Sequence, residues 1–230
     1  MNESTSLRTI KSYVVRGGRL TPSQEKALAN YWPEFGLERE NGCINAVEIF
    51  TNTNPLVFEI GFGMGDSLVQ MAKDNPQQNF IGVDVHPPGI GTLLRKLADA
   101  DITNVRVYQN DAKLVLQECI ADNSLDKLQI FFPDPWHKKR HHKRRLIQPE
   151  FINRVLPKIK QGGLIHLATD WENYAEQMLE VLEQTADLKN LAENGKYSMG
   201  HDRPVTKFQR RGEKLGHGVW DLIFKKISAS

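Results

Sequence analysis

Two cysteines in 230 residues, Cys43 and Cys119, stand outside any C-x-x-C spacing. They provide neither a disulfide framework nor a zinc knuckle. No apolar run approaches the roughly 18 residues of a membrane span, and residues 1–6, Met-Asn-Glu-Ser-Thr-Ser, lack the hydrophobic centre of a secretory leader. A reducing cytoplasm is the expected compartment. No segment repeats and none is of low complexity. An excess of one charge is also missing: 30 Lys and Arg face 28 Asp and Glu, a formal net charge of +2, which excludes a generally basic, sticky protein. The balance breaks in one window that lacks acids. Residues 135–149 carry +6, so everything else sums to −4. A second acid-free stretch, Leu7–Leu20 with Arg8, Lys11, Arg16 and Arg19, reads as an arm that orders on RNA. With 40% hydrophobic and 25% charged residues the chain suffices for one sizeable core and is short for two.

From residue 56 onward short β-rich runs alternate with helical patterns. Leu56–Ile60, Phe80–Asp84, Val105–Tyr108, Leu128–Phe132, Leu164–Ala168 and Val219–Phe224 read as strands. Ser67–Asp74 and Leu93–Ala100 read as helices, and a longer helix follows Asp170, with Trp171, Tyr174, Ala175, Met178, Leu179 and Val181/Leu182 on one face. Strands spaced by helices predict an α/β fold, a largely parallel sheet with helices on both faces. Residues 1–52 read as an N-terminal extension with one helix, Ser23–Tyr31, and residues 53–230 as the domain proper.

Ligands of such a sheet sit outside the carboxyl ends of its strands, and five successive predicted strands place an acid there: Glu59, Asp84, Asp111, Asp134 and Asp170. Any one could be a helix N-cap, Asp170 most readily; five caps in a row are a poor explanation. Asp134 lies between Pro133 and Pro135. The prolines push Phe132 and Asp134 toward extended geometry, so the carboxylate stands on a stiff turn. Directly after it come Lys138, Lys139, Arg140, Lys143, Arg144 and Arg145, the footprint of a phosphate-gripping surface. The bland alternative is a solvated basic loop. Trp136 either stacks a splayed base or packs beneath that loop. His137 and His141 have an i, i+4 ligand spacing, yet six neighbouring cations disfavour a divalent ion, and no metal site is expected.

Gly61, Gly63 and Gly65 follow the first predicted strand and open a helix, where a ligand can approach the backbone closely. A dinucleotide fingerprint needs a third glycine three residues after Gly63; that position is Asp66, an acid expected to repel pyrophosphate. A cationic sulfonium ligand suits the acid-rich loop better, with Asp84, nineteen residues past Gly65, placed for ribose hydroxyls. That favours S-adenosylmethionine over a nicotinamide cofactor. A non-catalytic RNA-binding protein would have no use for an acid at each strand end.

The runs FEIGFGMGDSLVQMA, GVDVHPPGIG, FFPDPWHKKRHHKRR, ATDWENYAEQMLEV and RPVTKFQRRGEKLGHGVWDL together resemble the bacterial tRNA (guanine-N7)-methyltransferases. They cover most of residues 57–226 in order. The resemblance implies a class I methyltransferase fold, S-adenosylmethionine as donor and N7 of a variable-loop guanosine in tRNA as acceptor. By position in those motifs, Glu59, Gly61, Asp84, Asp111 and Asp134 bind the donor, with Asp134 also the catalytic residue. Lys138, Asp170 and the run Thr206, Lys207, Phe208 and Gln209 contact the substrate. Arg140, His141, His142, Lys143, Arg144 and Arg145 contact the RNA. Where many relatives have Glu this chain has Gln209, which keeps an acceptor oxygen and loses the charge, so an anionic role does not carry over to it. No obligatory protein partner is implied, and a monomer is compatible with the motifs.

Overall fold

A computed structural model of the chain describes residues 12–13, 18–193, 195–199, 203–205 and 218–227. Arg8, Lys11, Arg16 and the run Thr206–Gln209 lie outside the described residues. In chain order the elements are α1 (Pro22–Phe35), β1 (Gly36–Leu37), α2 (Ala46–Phe50), β2 (Leu56–Ile60), α3 (Asp66–Asp74), β3 (Asn79–Asp84), α4 (Pro87–Asp99), β4 (Val105–Gln109), α5 (Ala112–Glu118), β5 (Leu125–Phe131), α6 (Pro149–Val155), β6 (Ile159–Thr169), α7 (Glu172–Glu183), β7 (Leu188–Asn190) and β8 (Trp220–Lys226).

The strands form one sheet in the order β1-β4-β3-β2-β5-β6-β8-β7, parallel except for β8, which runs antiparallel to both β6 and β7. Every residue of β2 is buried, as a strand covered on both faces requires. Its side chains alternate between two cores. Phe58 and Ile60 join Val115, Phe151, Ile152, Tyr174 and Met178 beneath α5, α6 and α7. Val57 joins Leu68, Met71, Leu93, Leu94 and Leu97 beneath α3 and α4. The α/β architecture with helices on both faces is the expected one. β2 pairs with β3 on one side and with β5 on the other. The direction of strand order reverses there, and the topology opens a crevice at the carboxyl ends of these two strands.

Residues 21–52 carry more structure than one helix. α1 starts at a capping box in which Gln24 N donates to Thr21 Oγ1 and Thr21 N to Gln24 Oε1. It runs four residues past Tyr31, through Pro33, to bury Phe35. Gly36 and Leu37 then add an edge strand to β4, and Phe50 at the end of α2 enters the larger core with the Arg106 guanidinium 5.1 Å from its ring centroid. α4 begins six residues before the expected Leu93, at Pro87 and Pro88, which suit the first helical turn. Its two internal glycines are there for contact: a Cβ on Gly89 would lie 2.2 Å from Gly63 O, and one on Gly91 2.8 Å from Gln24 O. Any side chain at either position would drive α4 away from the glycine loop or from α1.

Phe50→Ala removes a buried ring from the base of the sheet and is expected to cost about 3 kcal/mol or more; urea unfolding measures it, and a loss below about 1 kcal/mol would show that residues 46–50 do not belong to the cooperative core.

Candidate active site

Gly61 N donates to Val83 O at 2.8 Å, so the first residue after β2 is still tied to β3, and the chain then turns through Gly61, Gly63 and Gly65, all at positive φ, into α3. Asp84, the last residue of β3, accepts from Gly63 N at 2.9 Å and from His86 N at 3.0 Å. Burial raises the Asp84 carboxyl above the usual range, against the lowering effect of these amides. Two bonds leave lone pairs on a carboxylate free for hydroxyl groups. Asp111 caps α5, accepting from Lys113 N at 2.9 Å, and is hydrogen-bonded to Tyr13. A cavity of about 420 Å³ opens between these strand ends, and its walls include Gly61, Gly63, Val83, Asp84, Asp111, Ile130, Phe132 and Asp134. Four expected donor residues, Gly61, Asp84, Asp111 and Asp134, are thus brought together.

Glu59 is not in that wall. It points into the core beneath the glycine loop, 3% exposed, and accepts from Gln129 Nε2 at 2.8 Å. Burial pushes its carboxyl up to about 7, partly offset by the Gln129 amide. Asp66 also faces elsewhere: it pairs with Lys96 at 2.7 Å and does not line the cavity, so direct repulsion of a pyrophosphate by that side chain is not what the fold provides. Asp170 follows β6 but does not cap α7, whose N-cap is Trp171 without a side-chain bond. Lys138 lies exposed at the start of a 3₁₀ turn. Neither Asp170 nor Lys138 lines the cavity.

The Asp134 turn departs from the expected geometry. Phe132 has φ +54° and Trp136 φ +46°, left-handed values that bulky residues avoid. Phe132 was expected to be extended, but proline only bars the right-handed helical region for its predecessor. Phe132 N donates to Ala168 O at 2.8 Å, which keeps the residue on the sheet edge while the chain bends off it. Asp134 itself is exposed at the cavity mouth. Strained backbone of this kind survives where its surroundings over-determine it, and it concentrates at functional sites.

Arg145, expected to contact RNA, does not reach the surface. It is 2% exposed; its Nε donates to Pro135 O at 2.8 Å, Nη1 to Gln177 Oε1 at 2.6 Å and Nη2 to Asn173 Oδ1 at 3.0 Å, with the guanidinium 4.7 Å from the Tyr174 ring centroid. The 3₁₀ turn Lys139–Arg144 explains the correction, since it ends at Arg145 and turns that residue inward against α7. Lys138, Lys139, Arg140 and Lys143 stay exposed. Arg144 lies 3.8 Å from the Trp136 ring centroid, and Trp136 Nε1 donates to Ser12 O at 3.1 Å. One face of this indole is therefore packed under the basic loop. His141 and His142 are half-buried. His137 packs on Trp171 and His141 on Trp136, so the two imidazoles face different indoles. Among the described residues no group of three or more His, Cys, Asp or Glu could hold a metal ion, and no helix is long and apolar enough to cross a membrane.

Sequence reasoning missed Ser12, Tyr13, His86 and Asn110 in the cavity wall. His86 and Asn110 adjoin the acids at strand ends, which was the available signal. Ser12 and Tyr13 sit in the stretch read only as an RNA arm.

A cavity at the glycine-loop switch point, walled by apolar side chains and several carboxylates, fits an adenosine-bearing cation better than a polyanion. Comparison with known proteins points the same way. Residues 53–222 match the family described as "Putative methyltransferase". The chain is 54% identical over 225 residues to a protein of Pseudoalteromonas translucida named tRNA (guanine-N(7)-)-methyltransferase, covering 97% of this chain and 93% of that one. It is 56% identical over 220 residues to a protein of Ectopseudomonas mendocina with the same name, covering 95% and 92%. The fold resembles the crystal structure of an rRNA methylase from Streptococcus thermophilus, with a TM-score of 0.53 at 12% identity over 80% of this chain and 92% of that one.

Glu59 makes stability depend on pH in the absence of ligand. Its folded value of about 7 lies above the unfolded 4.5, so the cost of ionising it is absent below pH 4.5, grows as pH rises and is fully present above pH 7. Glu59→Gln is expected to flatten that dependence, gaining on the order of 2–3 kcal/mol relative to wild type between pH 5 and pH 8. Urea titrations at the two pH values measure it; parallel curves would show that Glu59 ionises freely in the folded protein.

Proposed function

The chain belongs to the tRNA (guanine-N(7)-)-methyltransferases, and we propose that the cavity beside Gly61 and the Pro133–Asp134–Pro135 turn are the donor and acceptor halves of its active site. The enzyme transfers a methyl group from S-adenosylmethionine to N7 of guanine in tRNA. Within that reaction the acceptor is a variable-loop guanosine. Residues 53–230 act as the catalytic domain, and residues 1–52 are an extension whose Ser12 and Tyr13 reach the cavity.

When bound, S-adenosylmethionine supplies an electrophilic methyl group on a sulfonium. Asp84 would be the partner for its ribose hydroxyls, Gly61 and Gly63 would allow close approach to the backbone, and Asp111 would add negative charge around a cationic ligand, whereas Glu59 lies outside the cavity wall and burial disfavours its charged form. Guanine N7 carries an in-plane lone pair and no proton, so no residue need act as a base on the nucleophile. Asp134 has a different task. A fixed carboxylate beside the purine either offsets the positive charge that develops on the ring or accepts from N1–H and the N2 amine, the second role orienting guanine and rejecting adenine. The strained, doubly proline-flanked turn keeps Asp134 in place before substrate arrives, and positioning is the larger share of catalysis here. Lys138, Asp170 and Thr206–Gln209 are assigned to the substrate by their motif positions. Lys138, Lys139, Arg140 and Lys143 form the exposed, phosphate-gripping part of the basic run, with Arg144, His141 and His142 folded beneath. The observation that carries the reading is the meeting of Asp84, Asp111 and Asp134 in one cavity directly beside that run.

Asp134→Asn preserves the shape of the side chain and removes its charge. Single-turnover assays on transcribed tRNA are expected to show a loss of about 10²–10³-fold with unchanged melting temperature; a rate near that of wild type would mean that the carboxylate only caps the turn. Affinity for tRNA should also divide the basic run. Arg140→Ala with Lys143→Ala is expected to reduce the slope of log K against log salt by about 0.7–0.9 per lost contact, whereas Arg145→Met should lower stability and leave the slope alone. Filter binding across a salt series reads both, and a wild-type slope in the double variant would make the exposed cations a solvated face.

A further inference from the structure

Three buried polar side chains stand outside the machinery described so far. Arg203 is 3% exposed, His166 1% and Asp221 3%. Asp221, the second residue of β8, stands directly opposite Ala168 of β6, which brings it diagonally across from His166 on the same face. His166 Nε2 and Asp221 Oδ1 are 2.8 Å apart. Arg203 closes on the same carboxylate from the preceding segment, with Nε donating to Oδ1 at 2.7 Å and Nη2 to Oδ2 at 2.8 Å. The carboxyl pays for burial but is held down to about 2 by its bonds to Arg203 and His166.

Bidentate geometry makes such a pair rigid, yet burying an ion pair contributes little to stability compared with apolar packing of the same volume. What the pair does fix is the guanidinium, and the guanidinium lies against the two residues on which the chain leaves β5. Its central carbon is 5.7 Å from the Phe131 ring centroid and 5.1 Å from that of Phe132. Phe131 also meets His166 edge-on at 4.9 Å. Phe132 holds the strained left-handed conformation and is separated from Asp134 only by Pro133. Arg145 grips Pro135 O on the far side of Asp134 in sequence. The turn is thus held at both ends by a buried arginine.

We propose that Arg203 is a positioning residue for methyl transfer: locked by Asp221 and His166, its guanidinium keeps Phe132 in the left-handed conformation and so determines where the Asp134 carboxylate stands. The proposal rests on the assignment of Asp134 as the catalytic residue. It adds a requirement on a side chain that touches the cavity wall through Phe131 and Phe132 without lining the cavity itself, and it distinguishes Arg203 from a simple fastener of β8. A fastener would affect melting temperature and the fraction of protein that binds donor, but not the turnover of the protein that does bind it.

Arg203→Lys keeps the charge and loses the planar fork that lies along the rings. Donor affinity is read by calorimetry with S-adenosylmethionine, and turnover is counted per donor-binding molecule in single-turnover reactions followed for hours. The expected result is a turnover about 10–100-fold below wild type with donor affinity within about threefold. In an Asp134→Asn background the same substitution should cost less than about threefold, because the two changes act through one carboxylate. Unchanged turnover in Arg203→Lys, or an equal loss in both backgrounds, overturns the proposal. A wild-type rate in Asp134→Asn alone overturns the assignment beneath it, and the proposal falls with it. Should Arg203→Lys not bind donor, His166→Asn leaves the ion pair in place and removes the bond that orients Asp221 together with the edge contact to Phe131. A loss of about 3–10-fold in turnover at wild-type donor affinity then supports the proposal, and wild-type turnover overturns it.

Discussion

The site depends on one constraint, the parallel pairing of β2 with β3 on one side and β5 on the other. Each pairing needs a helical crossover, and the two crossovers leave in opposite directions across the sheet. Only the carboxyl ends of β2 and β5 are then left with open space between them. Gly61 and the Phe132–Asp134 turn, far apart in the chain, arrive there side by side because their strands are neighbours. The apolar content of β2, buried at every position, makes the arrangement stable enough to carry strained backbone at its edge.

That strain is supported by polar groups placed inside rather than outside the protein. Arg145 and Arg203 are both almost wholly buried, and each spends its donors on carbonyl, amide or carboxylate oxygens of the protein itself. Arginine suits this use because its planar fork can satisfy several acceptors in a fixed geometry while its face rests on a ring. The basic run therefore does two jobs. Its exposed members present charge to solvent, and its last member ties the Pro135 carbonyl to Asn173 and Gln177 of α7.

The large features were legible in the sequence for physical reasons. Strands buried on both faces appear as continuous apolar runs, so β2 and β3 were found near their true limits, while β5 was found without its first three residues, where Asp126 and Lys127 interrupt the run; the acids at their ends were visible because the alternation put them all on one edge. α7 showed its apolar stripe over three turns. α5 and α6, at seven residues each, have too few turns for a period to stand out. The start of α4 was hidden by Pro87, Pro88, Gly89 and Gly91, residues that usually break helices but here cap one and permit close contact. Burial of single side chains was harder still. A string of cations gives no phase, and nothing local distinguishes Arg145 from Lys143 until the 3₁₀ turn sets which one faces α7. The left-handed Phe132 and the Arg203–Asp221 pair depend on partners distant in sequence and were not foreseen.

Ser12 and Tyr13 have a consequence beyond lining a wall. Ser12 offers its carbonyl to Trp136 of the basic loop, while Tyr13 is hydrogen-bonded to Asp111 at the cavity. Two adjacent residues therefore bear on the cavity and on the basic loop at once. Reciprocity follows from thermodynamics alone: if occupancy of the cavity tightens or loosens this dipeptide, and the dipeptide bears on the loop, the affinity for RNA changes by a factor that RNA must return to the small ligand in equal measure. The size of any such coupling is then a property of a dipeptide near the start of the chain as much as of the sheet behind it.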